Sequence, residues 1–342
     1  MSGPSVHRWT VLSVGAAVAT VVVFAALGLV PFFFTQNTTE KLTELFILII
    51  LAGMWNVLAG YGGLVSVGQQ AFVGIGAYGT IVFAERGVNG FVSVVLGALV
   101  AAVISLPVSL LVFRLRGGQF AIGTWVVAEV FRLLVTNDQS IGGGTGRSLT
   151  ALNVYDPADR QAYTYWLALA FMAVLLGAGF VLLRSRLGAS LQAIRDDETA
   201  AASMGVRVAR AKRVVYVLAG LGCGAAGALT IANTLRAQPD SIFGIQWTAY
   251  MIFMVLLGGL GTFEGPVLGA LVLFGLQQEF QDQGSWYLVG LGLVAIVVTL
   301  IAPRGLWGLC VERFGIRLLP VGYEVRGLGR RRKVEGAPEV VR

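Results

Sequence analysis

Ten long apolar segments determine what this chain can fold into. They lie at residues 10–34, 42–59, 64–84, 91–113, 119–136, 163–183, 213–235, 246–260, 264–280 and 286–302. A helix needs about 20 mostly apolar residues to cross a bilayer, where backbone amides must be bonded within the helix. The sequence therefore predicts an all-α, polytopic membrane protein with about ten transmembrane helices. The third, eighth and ninth segments are short or glycine-rich, so we expect them to be broken or only partly inserted.

The composition also favours a membrane protein. Only 13% of the 342 residues are charged, whereas a soluble domain carries roughly 25%. The 46 glycines are typical of closely packed membrane helices. His7 is the only histidine, and Cys223 and Cys310 lie far apart. These features argue against a soluble enzyme, a nucleic-acid-binding protein, a histidine-based metal site and Ser-His-Asp catalysis, and we expect no metal or cofactor.

The placement of basic residues predicts which loops face the cytoplasm, because Lys and Arg favour that side. If ten spans alternate from a cytoplasmic N-terminus, 19 of the 25 basic residues face the cytoplasm and five face outward. The predicted divisions are a cytoplasmic N-terminus (1–9), a transmembrane domain (10–302) with an external loop (137–162) and a cytoplasmic loop (184–213), and a basic cytoplasmic tail (303–342). The first span could instead be a signal peptide, but its apolar run exceeds the usual length of about 7–15 residues, so we expect a retained helix.

The cytoplasmic loop predicts two short helices. Leu187, Leu191 and Ile194 recur at helical spacing and give the first helix one apolar face. A charged break follows, and glycine ends the second helix. The candidate docking residues are Leu187, Leu191, Ile194, Arg195, Asp196, Asp197, Glu198, Ala200, Ala201, Met204 and Gly205. Such a pair of helices either docks in a groove of a cytoplasmic partner or lies on the membrane as an amphipathic loop.

Polar residues within the spans are candidates for a transport pathway, because charge is costly there and is usually functional. Glu129 and Arg132 are three residues apart on the fifth span and share one helix face. They form either a packing pair or a site where one charge meets a solute. Ser66, Gln69 and Gln70 interrupt a glycine-rich run of the third span. They serve either helix packing or the passage of a small zwitterion.

Three glycine-rich segments differ in what they indicate. Residues 62–66 and 258–262 form a weak internal repeat at the inner ends of predicted spans, and duplicated halves are common in transporters. Residues 141–146 form an external run that contains Gly142, Gly143, Gly144 and Thr145. This run lacks the lysine of a phosphate-binding loop, and no such loop occurs in the sequence. It is most simply a flexible turn, and energy from ATP must come from a separate chain.

Five stretches in order resemble one known family. They are residues 60–78, 116–122 with 128–132, 185–206, 258–270 and 302–308. Together they are similar to LivM-type permeases, the membrane subunits of ABC importers for branched-chain amino acids. The resemblance covers residues 45 to 310, and five stretches in order are far more specific than any one of them.

The resemblance implies roles for the loops and a set of partners. The cytoplasmic loop would be the coupling helix on the ATPase, although Thr199 stands where the wider importer pattern has Glu, and the acid lies at Glu198. The external loop, with Gly142–Thr145, would contact a substrate-binding protein. The expected complex contains a LivH-like second permease, two ATP-binding subunits and the external binding protein in the bacterial inner membrane. The chain itself would be a non-catalytic transport subunit.

Other functions remain open at this point. Permeases of the same group import urea or short amides, and simple-sugar permeases are more distant relatives. An ATP-independent channel or secondary transporter would not need the amphipathic cytoplasmic loop. A membrane-embedded enzyme is disfavoured, because the spans contain little charge and no histidine cluster.

Overall fold

The computed structural model describes residues 5–7, 11–280, 285–302, 304–314 and 324–326, and these residues are mostly helical. The helices are α1 (Val11–Gly28), α2 (Val30–Phe33), α3 (Gln36–Asn56), α4 (Gln70–Glu85), α5 (Gly90–Val112), α6 (Gly118–Asn137), α7 (Pro157–Arg184), α8 (Arg186–Asp196), α9 (Glu198–Ser203), α10 (Val208–Thr234), α11 (Pro239–Ile242), α12 (Gln246–Gly258), α13 (Gly265–Phe280), α14 (Ser285–Ile301) and α15 (Gly305–Phe314). A π-helical turn, Val57–Tyr61, extends α3, and 3₁₀ turns lie at Gln139–Ile141, Gly143–Thr145 and Thr150–Val154.

Two short antiparallel ladders join segments that are distant in sequence. Strand β1 (Ser5–His7) pairs with β4 (Glu324–Arg326), and β2 (Arg147–Ser148) pairs with β3 (Arg236–Ala237). The first ladder brings the N- and C-terminal segments together. This arrangement agrees with an even number of membrane crossings.

A helix lies in each of the ten apolar ranges, and the prediction of an all-α, multi-pass membrane protein is confirmed. Among the described residues, six helical segments are long and apolar enough to cross a membrane. They are Gln36–Tyr61, Gly90–Val112, Gly118–Asn137, Pro157–Arg184, Val208–Thr234 and Pro239–Gly258. The number of ten crossings and the cytoplasmic location of both termini stay predictions.

The helices differ from the predicted spans mainly at their ends. The third segment becomes helical only at Gln70, after a non-helical stretch at 62–69, whereas the eighth is one unbroken helix from Gln246 to Gly258. Helix α7 begins at Pro157, inside the predicted external loop, because proline is favourable in the first helical turn and follows directly on Asp156. Hydropathy alone does not detect such polar helix starts.

Helix α3 forms the centre of the bundle, and α6 lies at its edge. In the most apolar window of each, 89% of the α3 segment is buried but only 17% of α6. Helices α7, α10, α12 and α13 surround α3, while α4, α5 and α10 pack against one another. The α4–α10 contact requires glycine, because a Cβ at Gly227 would lie 1.9 Å from the Val73 carbonyl oxygen. Because only 17% of the α6 window is buried, most of one face of α6 is not covered by this chain.

Candidate functional site

The cytoplasmic loop folds into the two predicted short helices, α8 and α9. The Ser185 hydroxyl caps α8 by accepting a hydrogen bond from the Leu187 N–H at 3.1 Å. Asp197 separates the helices and caps α9, because its Oδ1 accepts from the N–H groups of Thr199 and Ala200 at 2.8 and 2.9 Å. Gly205, with φ of 84°, follows the end of α9. The predicted break and the predicted glycine stop are both present.

The apolar face of this loop packs against the chain's own helices. Leu191 and Ile194 are buried, as is Ala201 of α9, and α8 contacts α7 and α10. The Lys212 ammonium of α10 also donates to Glu198 at 2.7 Å. The opposite face is exposed at residues 195–200 and 202–205, and Met204 is 73% exposed. The apolar face that the sequence predicts is therefore covered by the chain itself and is not available to a partner.

Four sequence motifs meet beside α8. Arg195 donates through a terminal guanidinium nitrogen to the Gly60 carbonyl at 2.6 Å. The Asn56 amide donates to the Thr262 carbonyl at 2.7 Å and accepts from the Gly261 N–H at 2.9 Å. These contacts, together with Gly305 packed against Gly259, form a region that we term the inner junction, comprising residues 56–63, 195, 258–262 and 304–305. The second glycine-rich repeat segment thus packs against Asn56 and Gly60, just before the first repeat segment.

The non-helical stretch at 62–69 is held by polar groups of the bundle. Trp55 donates to the Ser66 carbonyl at 3.0 Å, and the Val67 N–H donates to the Thr124 hydroxyl at 3.2 Å. Irregular backbone at membrane depth is tolerated where protein satisfies its hydrogen bonds. These bonds allow α3 and α4 to be joined by a mostly buried elbow, the segment 57–69, in which Gly63 and Val65 are exposed.

The predicted pathway residues of the third span lie around this elbow and are buried. Ser66 and Gln69 are 0% exposed and Gln70 is 1% exposed. Ser66 accepts from the Gln69 amide at 3.3 Å, and Gln70 accepts from Thr248 of α12. Within the described residues the side-chain amide oxygen of Gln69, Oε1, has no hydrogen-bond partner. Ser66 and Gln70 are thus hydrogen-bonded within the bundle, whereas the Gln69 side chain keeps one free acceptor.

Glu129 and Arg132 form an ion pair that includes a third residue, Asp240 of α11. Arg132 Nε lies 2.9 and 3.0 Å from the two Glu129 oxygens, and a terminal nitrogen lies 2.5 Å from Asp240. The side chains of Glu129 and Asp240 are 47% and 80% exposed. Asp240 is 108 residues from Arg132 and was not identifiable as its partner from the sequence pattern. This acidic triad joins α6 to α11 and leaves one carboxylate charge uncompensated.

The glycine run after α6 forms a hydrogen-bonded turn, and its flexibility stays a prediction. The Thr145 hydroxyl donates to the Gly142 carbonyl at 2.9 Å, and the turn at Gly143–Thr145 contacts α6 and α11. Strand β2 directly follows the glycine run and pairs with β3. Ser140 donates two hydrogen bonds to Asp138 at 2.6 and 2.9 Å, and its hydroxyl and N–H lower the pKa of that carboxyl. Gly142, Gly143, Gly144 and Thr145 thus lie beside the triad, with Gly144 and Thr145 exposed and Gly143 buried.

The described residues contain no cluster of His, Cys, Asp and Glu that could hold a metal ion. The tetrahedral and carboxylate sites that metals need therefore have no counterpart in that part of the chain. The geometry instead provides polar contacts at three levels of the bundle: the inner junction, the elbow and the acidic triad.

Comparisons with known proteins find related membrane permeases. The profile of a family described as branched-chain amino acid transport system / permease component matches residues 37–303. The LivM permease protein of the high-affinity branched-chain amino acid transport system of Escherichia coli is 29% identical over 303 residues, covering 81% of this chain and 71% of that protein. The ribose import permease protein RbsC of the same organism is 27% identical over 300 residues, covering 83% and 90%. No solved structure gives a significant match.

Proposed function

The chain belongs to the family of branched-chain amino acid transport permeases, and from this premise we propose that it is the LivM-like permease subunit of an ABC importer for small apolar amino acids. It would work in the bacterial inner membrane with a LivH-like second permease, two ATP-binding subunits and an external substrate-binding protein. ATP hydrolysis by the partner chains would drive inward transport. The description of the matching family and the similarity to the LivM permease of E. coli support this substrate class, and the similarity to a ribose permease makes sugar import the alternative.

The exposed face of the cytoplasmic loop is the observation that carries the proposal. Helices α8 and α9 are fixed to the bundle by their apolar side, and their other side is free at residues 195–200 and 202–205. A helix pair anchored in this way transmits a push on its outer face to the membrane helices. A channel that works without ATP has no use for such a loop. The exposed face would therefore contact the ATP-binding subunit.

The uncovered face of α6 supports a pathway shared with a second permease. Glu129 lies eight residues before the end of α6 at Asn137, which places it about 12 Å from that end at a rise of about 1.5 Å per residue. A carboxylate at this depth is too costly to leave against lipid, and half of its side chain is not covered by this chain. The second permease, or water between the two permeases, would cover it.

We expect Glu129→Gln to lower uptake at least fivefold without reducing the yield of the assembled complex. Arg132 would keep its contact with Asp240, so the helices would remain joined, but the charge on the pathway face would be lost. Uptake by purified complexes in lipid vesicles is the measurement. The control is Glu85→Gln, which removes another carboxylate paired with an arginine, Arg147, at 2.6 Å. Loss of the complex in the Glu129 variant would assign the pair to packing instead.

Purification of the tagged chain from its native host tests the proposed complex. We expect a second permease and an ATP-binding subunit to be recovered with it, and the vesicles containing this complex to accumulate labelled leucine when ATP and the binding protein are present. Accumulation of ribose would favour the sugar importers to which the chain is also similar, and accumulation of urea would favour an amide importer. Uptake that persists without any ATP-binding subunit would contradict an ABC importer.

A further inference from the structure

We infer that Arg195 is a positioning residue that makes the cytoplasmic loop, the elbow and the α12–α13 turn move as one unit. The inference rests on the proposed function and goes beyond it, since it assigns the transmission of movement to one side chain. Arg195 lies in the last turn of α8, on the loop that would contact the ATP-binding subunit. Its guanidinium, however, points back into the permease and reaches the Gly60 carbonyl at 2.6 Å.

The surroundings of Arg195 match the chemistry of a guanidinium. Gly60 belongs to the turn Val57–Tyr61 that ends the helix begun at Gln36. The carbonyls of a last helical turn carry partial negative charge and bind cations favourably. Hydrogen bonds with a charged donor are also stronger than neutral ones. Arg195 therefore fixes the inner end of the central helix to the end of α8.

A second contact extends this link to the other glycine-rich segment. A Cβ at Gly261 would lie 3.1 Å from an Arg195 guanidinium nitrogen, so the side chain lies against both repeat segments. Asn56, one helical turn before Gly60, holds Gly261 and Thr262 through its amide. Asn56 is only 2% exposed. The α12–α13 turn thus shares a hydrogen-bonded connection with α3 and α8.

The elbow connects the inner junction to the buried interior of the helical bundle. Its backbone runs from Gly60 to Ser66, whose carbonyl accepts the hydrogen bond of Trp55, and on to Gln70, which meets Thr248 of α12. A shift of α8 of an ångström would have to move these buried groups, because packed interiors transmit strain and do not absorb it. The shift of α8 would reach these buried groups only while Arg195 holds α8 to the Gly60 carbonyl.

Arg195→Met tests this role in the purified complex. The substitution keeps most of the aliphatic stem and removes the donor. We expect the complex to form in normal yield, while uptake and the ratio of hydrolysis with the loaded binding protein to hydrolysis without it each fall at least tenfold. Arg114→Met is the control, because Arg114 is an exposed arginine of the same predicted side and lies outside the loop.

The two possible failures are distinguishable. A wild-type complex without stimulated hydrolysis and uptake of leucine, ribose or urea would contradict the proposed function. Wild-type stimulation in Arg195→Met would overturn the inference. A parallel loss of basal hydrolysis and uptake, or loss of the complex, would also overturn it, since Arg195 would then be needed only for folding.

A disulfide provides an independent test. A Cβ at Gly63 would lie 3.4 Å from the Arg195 Cβ, close to the separation that a disulfide requires. We expect the variant Gly63→Cys/Arg195→Cys to be uncoupled when reduced and to regain at least half of wild-type uptake when oxidised. A cysteine at position 63 is strained by the local φ of 68°. This strain is present in both the reduced and the oxidised variant, so it does not affect their comparison. Single-cysteine variants control for Cys223 and Cys310, and an oxidised complex that stays uncoupled would overturn the inference.

Discussion

Substitution of Gly227 by valine is expected to prevent formation of a stable helical bundle. A Cβ at this position would lie 1.9 Å from the Val73 carbonyl oxygen, so α4 and α10 would have to separate by more than an ångström. Overpacking of a core typically costs about 1–3 kcal/mol and sometimes more, and here the obstacle is backbone that cannot rotate away. We expect the yield of monodisperse protein in detergent to fall at least tenfold.

Gly177→Val is the matched control for this prediction. Gly177 also lies within a membrane helix, α7, but a Cβ there would meet nothing within 4 Å. The two variants share the change in helix propensity and differ in the space available. Similar yields and thermal unfolding midpoints for both variants would contradict a close-packed α4–α10 contact.

Met204→Asp is expected to abolish ATP-driven uptake while leaving the permease folded. Met204 directly follows α9 and is 73% exposed, and an apolar side chain at the tip of a docking loop is a natural binding anchor. Loss of such an anchor costs about 2 kcal/mol or more, which corresponds to roughly 30-fold weaker association with the ATP-binding subunit. The aspartate would also add charge to a segment that already contains Asp196, Asp197 and Glu198.

Co-purification of the ATP-binding subunit measures this effect directly. Met204→Leu keeps an apolar side chain of similar size and is expected to retain association and uptake. If Met204→Asp binds the ATP-binding subunit as tightly as the wild type does, the partner contacts another part of the loop. Thermal unfolding of the isolated permease should be unchanged in both variants, because the Met204 side chain is mostly exposed in the folded chain.

The sequence predicted the positions of the membrane helices well, because the requirements for crossing a bilayer apply to each segment by itself. Each span must be apolar over its length and must bond its own backbone, so the information lies within a window of about 20 residues. The cap at Asp197 and the stop at Gly205 were predictable for the same reason, since capping involves neighbouring residues. The polar start of α7 at Pro157 was not, because hydropathy does not register it.

The candidate sites depended on contacts between distant residues and were only partly predictable. Helical spacing showed that Leu191 and Ile194 share an apolar face, but the same spacing fits a face covered by a partner or by the chain itself. Glu129 and Arg132 could be paired from their separation of three residues, whereas Asp240 could not. No periodicity connects Arg195 with Gly60, which is 135 residues away.

By itself, therefore, the sequence determined that this chain is a helical membrane protein of the permease family with a two-helix polar loop. The tertiary structure alone decided which side of that loop is free, that Arg195 lies against both glycine-rich repeats, and that its guanidinium faces the central helix. The reason is physical. Insertion and helix formation are set by the local free energy of each segment, whereas the orientation of a side chain depends on which distant backbone groups lie within hydrogen-bonding distance.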